Sequence, residues 1–311
     1  MLPRRSRTRQ RHEVAAFAGF ISPWFIGFIL FAALPLAASL VMSMATFDLY
    51  SLKNFHWVGL AHYRLALEDP DVRQALEDTA IFTAIFVPLG LLVQIGLALL
   101  VASGTRLRSA LRGVFYLPAV IPTVVSIMLI WRTGIAGPDG VFDRVYHLFT
   151  PHGTIFWLDQ QGRLILILFM IWATAGLGMM VFLAGLQNVS RELQEAASLD
   201  GATRAQIVRT ITLPLLTPVI FVQLILGLIA AAQMMIQPIL LGSTAGSAGS
   251  PFFYTPAQGA DVLPAHIFGV TFIGAAPGAG AALSWILFLL VLAVTLIVFA
   301  TGKFWVFYGT N

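Results

Sequence analysis

Six long apolar runs, at about 17–46, 79–102, 114–131, 164–186, 215–241 and 278–299, constrain this chain more than any other feature. A bilayer core offers no water to backbone N–H and C=O groups, so a spanning segment must be helical or part of a closed barrel. A spanning helix needs about 20 apolar residues, whereas barrel strands are alternating segments of about ten. These runs are continuous and of helical length, which predicts an all-α integral membrane protein with six transmembrane helices. Charge agrees: 10% of the 311 residues are charged and 58% are hydrophobic, against about 25% charged in a soluble domain.

Six spans place both termini on one side. Twelve of the eighteen Lys and Arg residues fall on that side, in the 1–14 tail, around Arg106, Arg108 and Arg112, at Arg191, Arg204 and Arg209, and at Lys303. Ten of the fourteen acids fall on the other. The positive-inside rule puts the termini and the 190–214 segment in the cytoplasm, so the pI of about 9.8 reflects orientation and not nucleic-acid binding. The organisation expected is a basic cytoplasmic tail, 1–14, and one transmembrane domain, 15–311.

Several chemistries are excluded. The absence of cysteine removes disulfides and thiolate sites. The histidines at 12, 56, 62, 147, 152 and 266 lack paired metal-ligand spacing, so no metal site is expected. A P-loop needs a glycine-rich turn ending in Gly-Lys-Ser/Thr. The two lysines are Lys53 and Lys303, and Gly302-Lys303 is followed by Phe304. The chain therefore hydrolyses no ATP and is not an enzyme. No Asp, Glu, Lys, Arg or His lies within the six runs, which disfavours proton coupling, while a sodium site built from carbonyls remains compatible.

The segment 190–218, SRELQEAASLDGATRAQIVRTITLPLLTP, lies between two apolar runs and carries its own punctuation. Ser190 can cap a short helix that Gly201 ends by taking positive φ. Thr203 and Gln206 have capping-box spacing and begin a second helix, which Pro214 is expected to stop at Leu213. Glu195-Ala196-Ala197, Asp200-Gly201-Ala202, Ile211, Leu213, Pro214 and Pro218 reproduce EAAxxDGAx(8)IxLPxxxP. This resembles the EAA loop of binding-protein-dependent ABC importer permeases. Trp57-Val58-Gly59-Leu60 with Tyr63, Tyr116-Leu117-Pro118 with Ile121-Pro122, and Gly280 to Trp285 are similar to the sugar and glycerol-phosphate permeases of that family. Three departures stand out: Ile207 occupies a position usually aromatic, His62 one usually asparagine, and the GGP motif near 242–251 is missing.

The resemblance implies a type I importer permease fold with cytoplasmic coupling helices, in a bacterial-type inner membrane. It implies an ATPase-docking set of Glu195, Ala196, Ala197, Asp200, Gly201, Ile207, Leu213 and Pro214. It also implies a second homologous permease, an ABC ATPase dimer that binds ATP and Mg, and an extracytoplasmic substrate-binding protein. Candidates for a substrate path are Trp172, Thr174, Gln233, Gln237 and Ser284. Gln233 and Gln237 are four apart in one run and share a face if that run is one helix. They suit sugar hydroxyls or interhelical hydrogen bonds equally. Segments 47–78 and 132–162 read as external loops and 242–251 as a flexible external connection. The stretch 252–277 yields no assignment, and Gly274 with Gly278 signals only close helix packing.

Overall fold

The computed structural model describes residues 7–48, 55–103, 108–121, 124–137, 139–150, 157–242 and 257–307. The 1–6 part of the tail and most of the 242–251 connection lie outside them. Helix α1 (Arg7–Phe28) extends back into the basic tail, passes Pro23, and continues through a π-helical turn at 29–33 into α2 (Leu34–Ser43). A two-residue antiparallel pair, β1 (Ala45–Thr46) and β2 (His56–Trp57), leads to α3 (Ala61–Glu68). The described residues of this segment thus carry regular structure. His62 Nδ1 lies 3.0 Å from the Ser43 carbonyl, and Tyr63 Oη lies 2.7 Å from Ser43 Oγ, so both tie α3 to the end of α2. Those contacts give His62 its structural role.

Helix α4 (Pro70–Ala102) starts with Pro70 in its first turn and the Asp69 carboxylate accepting from the Asp71 N–H. Its 33 residues span about 50 Å at 1.5 Å per residue, against a core of about 30 Å. Its first turns, with Asp71, Arg73 and Glu77, therefore extend the helix beyond the hydrocarbon. The third apolar run is divided between α5 (Arg108–Val120) and α6 (Val124–Ile130), consistent with the restriction that Pro122 imposes on Ile121. A π-helical turn at 131–135 follows. Two short helices, α7 (Val141–Phe149) and α8 (Trp157–Gln160), precede α9 (Gly162–Gln187). After α10 (Arg191–Leu199), α11 (Arg204–Ile207) runs through a π-helical turn at 208–212 into α12 (Leu213–Ala232). The chain closes with α13 (Ile236–Gly242), α14 (Leu263–Phe268), a π-helical turn at 269–273 and α15 (Pro277–Trp305).

Two expectations need correction. Pro214 does not end the second helix of the 190–218 segment: residues 204–232 form one continuous 29-residue helix. The wider i→i+5 turn at 208–212 makes room for the pyrrolidine ring and absorbs the lost donor. The turn at 29–33 stands in the same relation to Leu34-Pro35. The fifth run, by contrast, breaks at Gln233, where α12 ends, and resumes at Ile236. Among the described residues five helices are long and apolar enough to cross a membrane, and the divided α5–α6 run supplies the remaining segment of the expected six.

Helix α9 is central, with 50% of its most apolar stretch buried, whereas the first span buries 0% of its own. Phe82 and Phe86 of α4 stack on each other and pack with Ile165 and Phe169 of α9, Met128 of α6 and Leu241 of α13. Towards the other end, Leu97, Ala98 and Val101 of α4 meet Ala175, Met179 and Phe182 of α9. The α5–α9 crossing is tight at Gly176, where an added Cβ would collide with the backbone of Phe115. Gly176→Val should force these helices apart and cost about 1–3 kcal/mol, read as a lowered thermal midpoint of the detergent-solubilised protein.

Candidate functional site

The 190–214 segment forms a projecting knob. Ser190 occupies the N-cap position of α10 without a side-chain cap bond. At the other end, Gly201 takes φ +86°. Its N–H donates to the Ser198 carbonyl (3.1 Å), and the Ala202 N–H donates to the Ala197 carbonyl (3.0 Å). That bond pair is a Schellman stop, and it satisfies carbonyls the helix would otherwise leave orphaned. The capping box then forms as its spacing predicts: the Thr203 N–H donates to Gln206 Oε1 (2.7 Å) and the Gln206 N–H to Thr203 Oγ1 (3.4 Å). Helix α10 buries no residue. Leu193, Ala196 and Leu199, spaced by three, are exposed, Leu199 at 88%.

The expected docking residues divide into two groups. Glu195, Ala196, Asp200 and Gly201 are exposed on the knob. Ala197, Ile207, Leu213 and Pro214 are half-buried. Ile207 lines a groove between the knob and the ends of the spans, facing its own chain. Leu199, which the motif does not include, is the most exposed apolar side chain of α10, and the three-residue spacing with Leu193 and Ala196 was the signal for it.

Deeper in the bundle, α4, α9 and α12 enclose a groove of about 280 Å3. Its polar side chains are Gln94, Thr174 and Gln223, and Gln94 lies over Gly178. Of the expected path residues only Thr174 is here; its hydroxyl also donates to the Met170 carbonyl (2.8 Å). Trp172 packs on Trp131, with ring centroids 5.8 Å apart. Gln233 caps α12 and Gln237 belongs to α13, so the break between them removes the shared face. Ser284 is exposed, with its hydroxyl donating to the Gly280 carbonyl (2.9 Å). Gln94 and Gln223 were missed although each is an isolated amide in an apolar run.

At the opposite end, the formerly unassigned stretch docks on the bundle through polar contacts. Arg163 Nη2 donates to Asp78 Oδ1 (2.6 Å) and Arg163 Nε to the Gly259 carbonyl (3.1 Å). The Leu263 N–H donates to Thr79 Oγ1 (2.7 Å). One buried carboxylate thus joins α4, α9 and the 257–263 segment. His266 Nδ1 lies 3.0 Å from Asp261 Oδ2. That hydrogen bond raises the His266 pKa; burial opposes it, and the charges of Asp261, Asp69 and Asp71 reinforce it. Among the described residues no cluster could hold a metal ion.

Comparison with known proteins places this architecture. The family described as binding-protein-dependent transport system inner membrane component matches residues 87–304. The probable ABC transporter permease protein YesP of Bacillus subtilis (strain 168) is 32% identical over 311 residues, covering 99% of this chain and 96% of YesP. The sn-glycerol-3-phosphate transport system permease protein UgpA of Agrobacterium fabrum is 28% identical, covering 93% of this chain and 95% of UgpA. In fold, the chain resembles a subunit of a bacterial ABC transporter involved in import of the acidic polysaccharide alginate. The TM-score is 0.77 at 24% identity, with 95% of this chain and 97% of the other covered.

Asp78→Ala should cost about 2–3 kcal/mol, less than a fully buried pair because 32% of the Arg163 side chain stays exposed. A double-mutant cycle with Arg163→Met should give a coupling above about 1 kcal/mol. The raised His266 pKa has a definite pH consequence. Its stabilisation is complete below the ordinary value of about 6.5 and is lost as pH rises through the raised one. Thermal midpoints should therefore fall across that window in the native chain and stay flatter in His266→Gln.

Proposed function

This chain belongs to the binding-protein-dependent transport system inner membrane component family, and from that membership we propose that it forms the translocation path of an ATP-driven importer for a carbohydrate or related polar solute. The single observation that carries this reading is the exposed knob of α10, Gly201 and α11, bearing the family pattern at the arginine-rich end of the bundle. The chain has no phosphate-binding loop, so ATP and its Mg are bound by a separate ATPase dimer. Glu195, Ala196, Leu199, Asp200 and Gly201 seat in a cleft of that ATPase on the cytoplasmic side. Ala197, Ile207, Leu213 and Pro214 support the knob from within.

A second homologous permease completes the path, and an extracytoplasmic binding protein delivers the solute. The fold neighbour has been solved with an alginate pentasaccharide-bound periplasmic protein, and relatives named for trehalose/maltose and arabinooligosaccharides support a carbohydrate cargo. Gln94, Thr174 and Gln223 are the polar contribution of this chain to the path, since uncharged amides and hydroxyls exchange hydrogen bonds with sugar hydroxyls without a desolvated charge. Closure of the ATPase dimer draws the knobs together and rotates the spans as rigid bodies, opening the path outward.

Pull-down from mildly solubilised native membranes should recover a second permease and a P-loop ATPase. Glu195→Ala and Gly201→Asp should lose the ATPase and abolish uptake while inserting normally. Recovery of the chain alone, with uptake that survives ATP depletion and collapses with the ion gradient, would establish a self-sufficient secondary transporter instead.

A further inference from the structure

The groove behind the knob, about 810 Å3, has a chemistry that ATPase docking, which draws on Glu195 alone of its charged residues, does not use. Its walls are the ends of α4 and α9, the first turns of α5, and the inward faces of α10 and α11. Arg112, Arg191 and Arg204 line it together with a single carboxylate, Glu195. Among the described residues none of the three guanidiniums makes an ion pair, and the buried Arg112 Nε has no hydrogen-bond partner. A buried donor in that state is destabilising and is normally matched by an acceptor. The C-terminal ends of α4 and α9 also face the groove and contribute about half a negative charge each. Three positive charges against one carboxylate and two helix ends leave a surplus of about one.

We propose that this groove binds the phosphodiester of an anionic glycerophospholipid from the leaflet at this end of the bundle. Arg forks match the oxygens of a phosphate in a bidentate manner, which an ammonium does not. Gln194 and Ser198 stand in the same lining, where they can meet the glycerol hydroxyls of a headgroup. The opposite wall is apolar, with Leu99, Leu183 and Ile207, and suits the first carbons of an acyl chain. The groove is lined by the ends of two of the spans, α4 and α9. A basic pocket between helices at the positive side of a membrane protein is a recognised setting for such headgroups. Ile207 acquires a reason here: an aliphatic side chain leaves open the space that an aromatic would fill.

The test uses the purified full-length chain in neutral detergent, and it reads lipid retention, which is independent of transport. Native mass spectrometry with phosphatidylglycerol or phosphatidylcholine of matched acyl chains should show a bound phosphatidylglycerol that phosphatidylcholine does not replace. Arg112→Gln combined with Arg204→Gln should weaken retention by about tenfold or more. Arg209→Gln, which removes an exposed charge outside the groove, should leave it unchanged. If the double variant fails to fold, Arg112→Lys tests the same point, because it keeps the charge and loses the Nε–H; retention should still fall. Equal retention of both lipids, or retention unaffected by these variants, would overturn the proposal. Displacement of phosphatidylglycerol by millimolar inorganic phosphate would overturn the lipid as the source of the anion.

Discussion

The inability of a lipid interior to hydrogen-bond governs this structure. Every backbone group inside the bilayer must find its partner within the protein, and an irregular segment is tolerated only where protein surrounds it. The chain meets this in two ways. Where Leu-Pro interrupts a long helix, at 34–35 and 213–214, a π-helical turn immediately before it keeps the helix continuous. Where the helix does break, at Gln233, the residues after it are enclosed: Pro238, Leu241 and Gly242 of α13 are buried, and Arg132 donates to the Leu240 carbonyl at 3.1 Å.

The same constraint sorts charge to the two ends. At one end the Asp78 carboxylate is buried, and it is held by Arg163 and by Gln74 at 3.1 Å. That pairing, with the Arg163 and Thr79 bonds to Gly259 and Leu263, holds the 257–263 segment against α4 and α9. At the other end the charges are mostly arginines, and α10 of the projecting helix pair buries no residue. Leu193 and Leu199 remain exposed, which a free-standing loop helix would not gain from. Exposed apolar side chains of that kind are the mark of an interaction surface.

Much of this was legible in the sequence because it depends on local rules. Gly201 had to supply positive φ between two helix patterns, and Thr203 with Gln206 announced a capping box at fixed spacing; both are present. Lengths of apolar runs marked the spans. What the sequence concealed depends on partners far apart in the chain. Nothing near Asp78 points to Arg163, 85 residues later, or to Gly259 beyond it. Proline was read by its usual effect at Pro214, where the π-helical turn at 208–212 overrides it, whereas the third run was read as one span and is divided between α5 and α6. Gln233 and Gln237 were placed on one face from spacing alone, and spacing carries no information once the helix breaks between them. The groove amides, Gln94 and Gln223, lie on different helices and become a site only through the packing of α4, α9 and α12.

The absence of cysteine gives a clean background for the measurement that bears most directly on the knob. Leu199→Cys, carrying a short thiol-directed photocrosslinker, would be irradiated in native membranes. If α10 seats in an ATPase, a single adduct containing a P-loop protein should form, and it should not form from Leu148→Cys on α7, at the opposite end of the bundle. No adduct from Leu199→Cys, or the same adduct from both positions, would contradict the account.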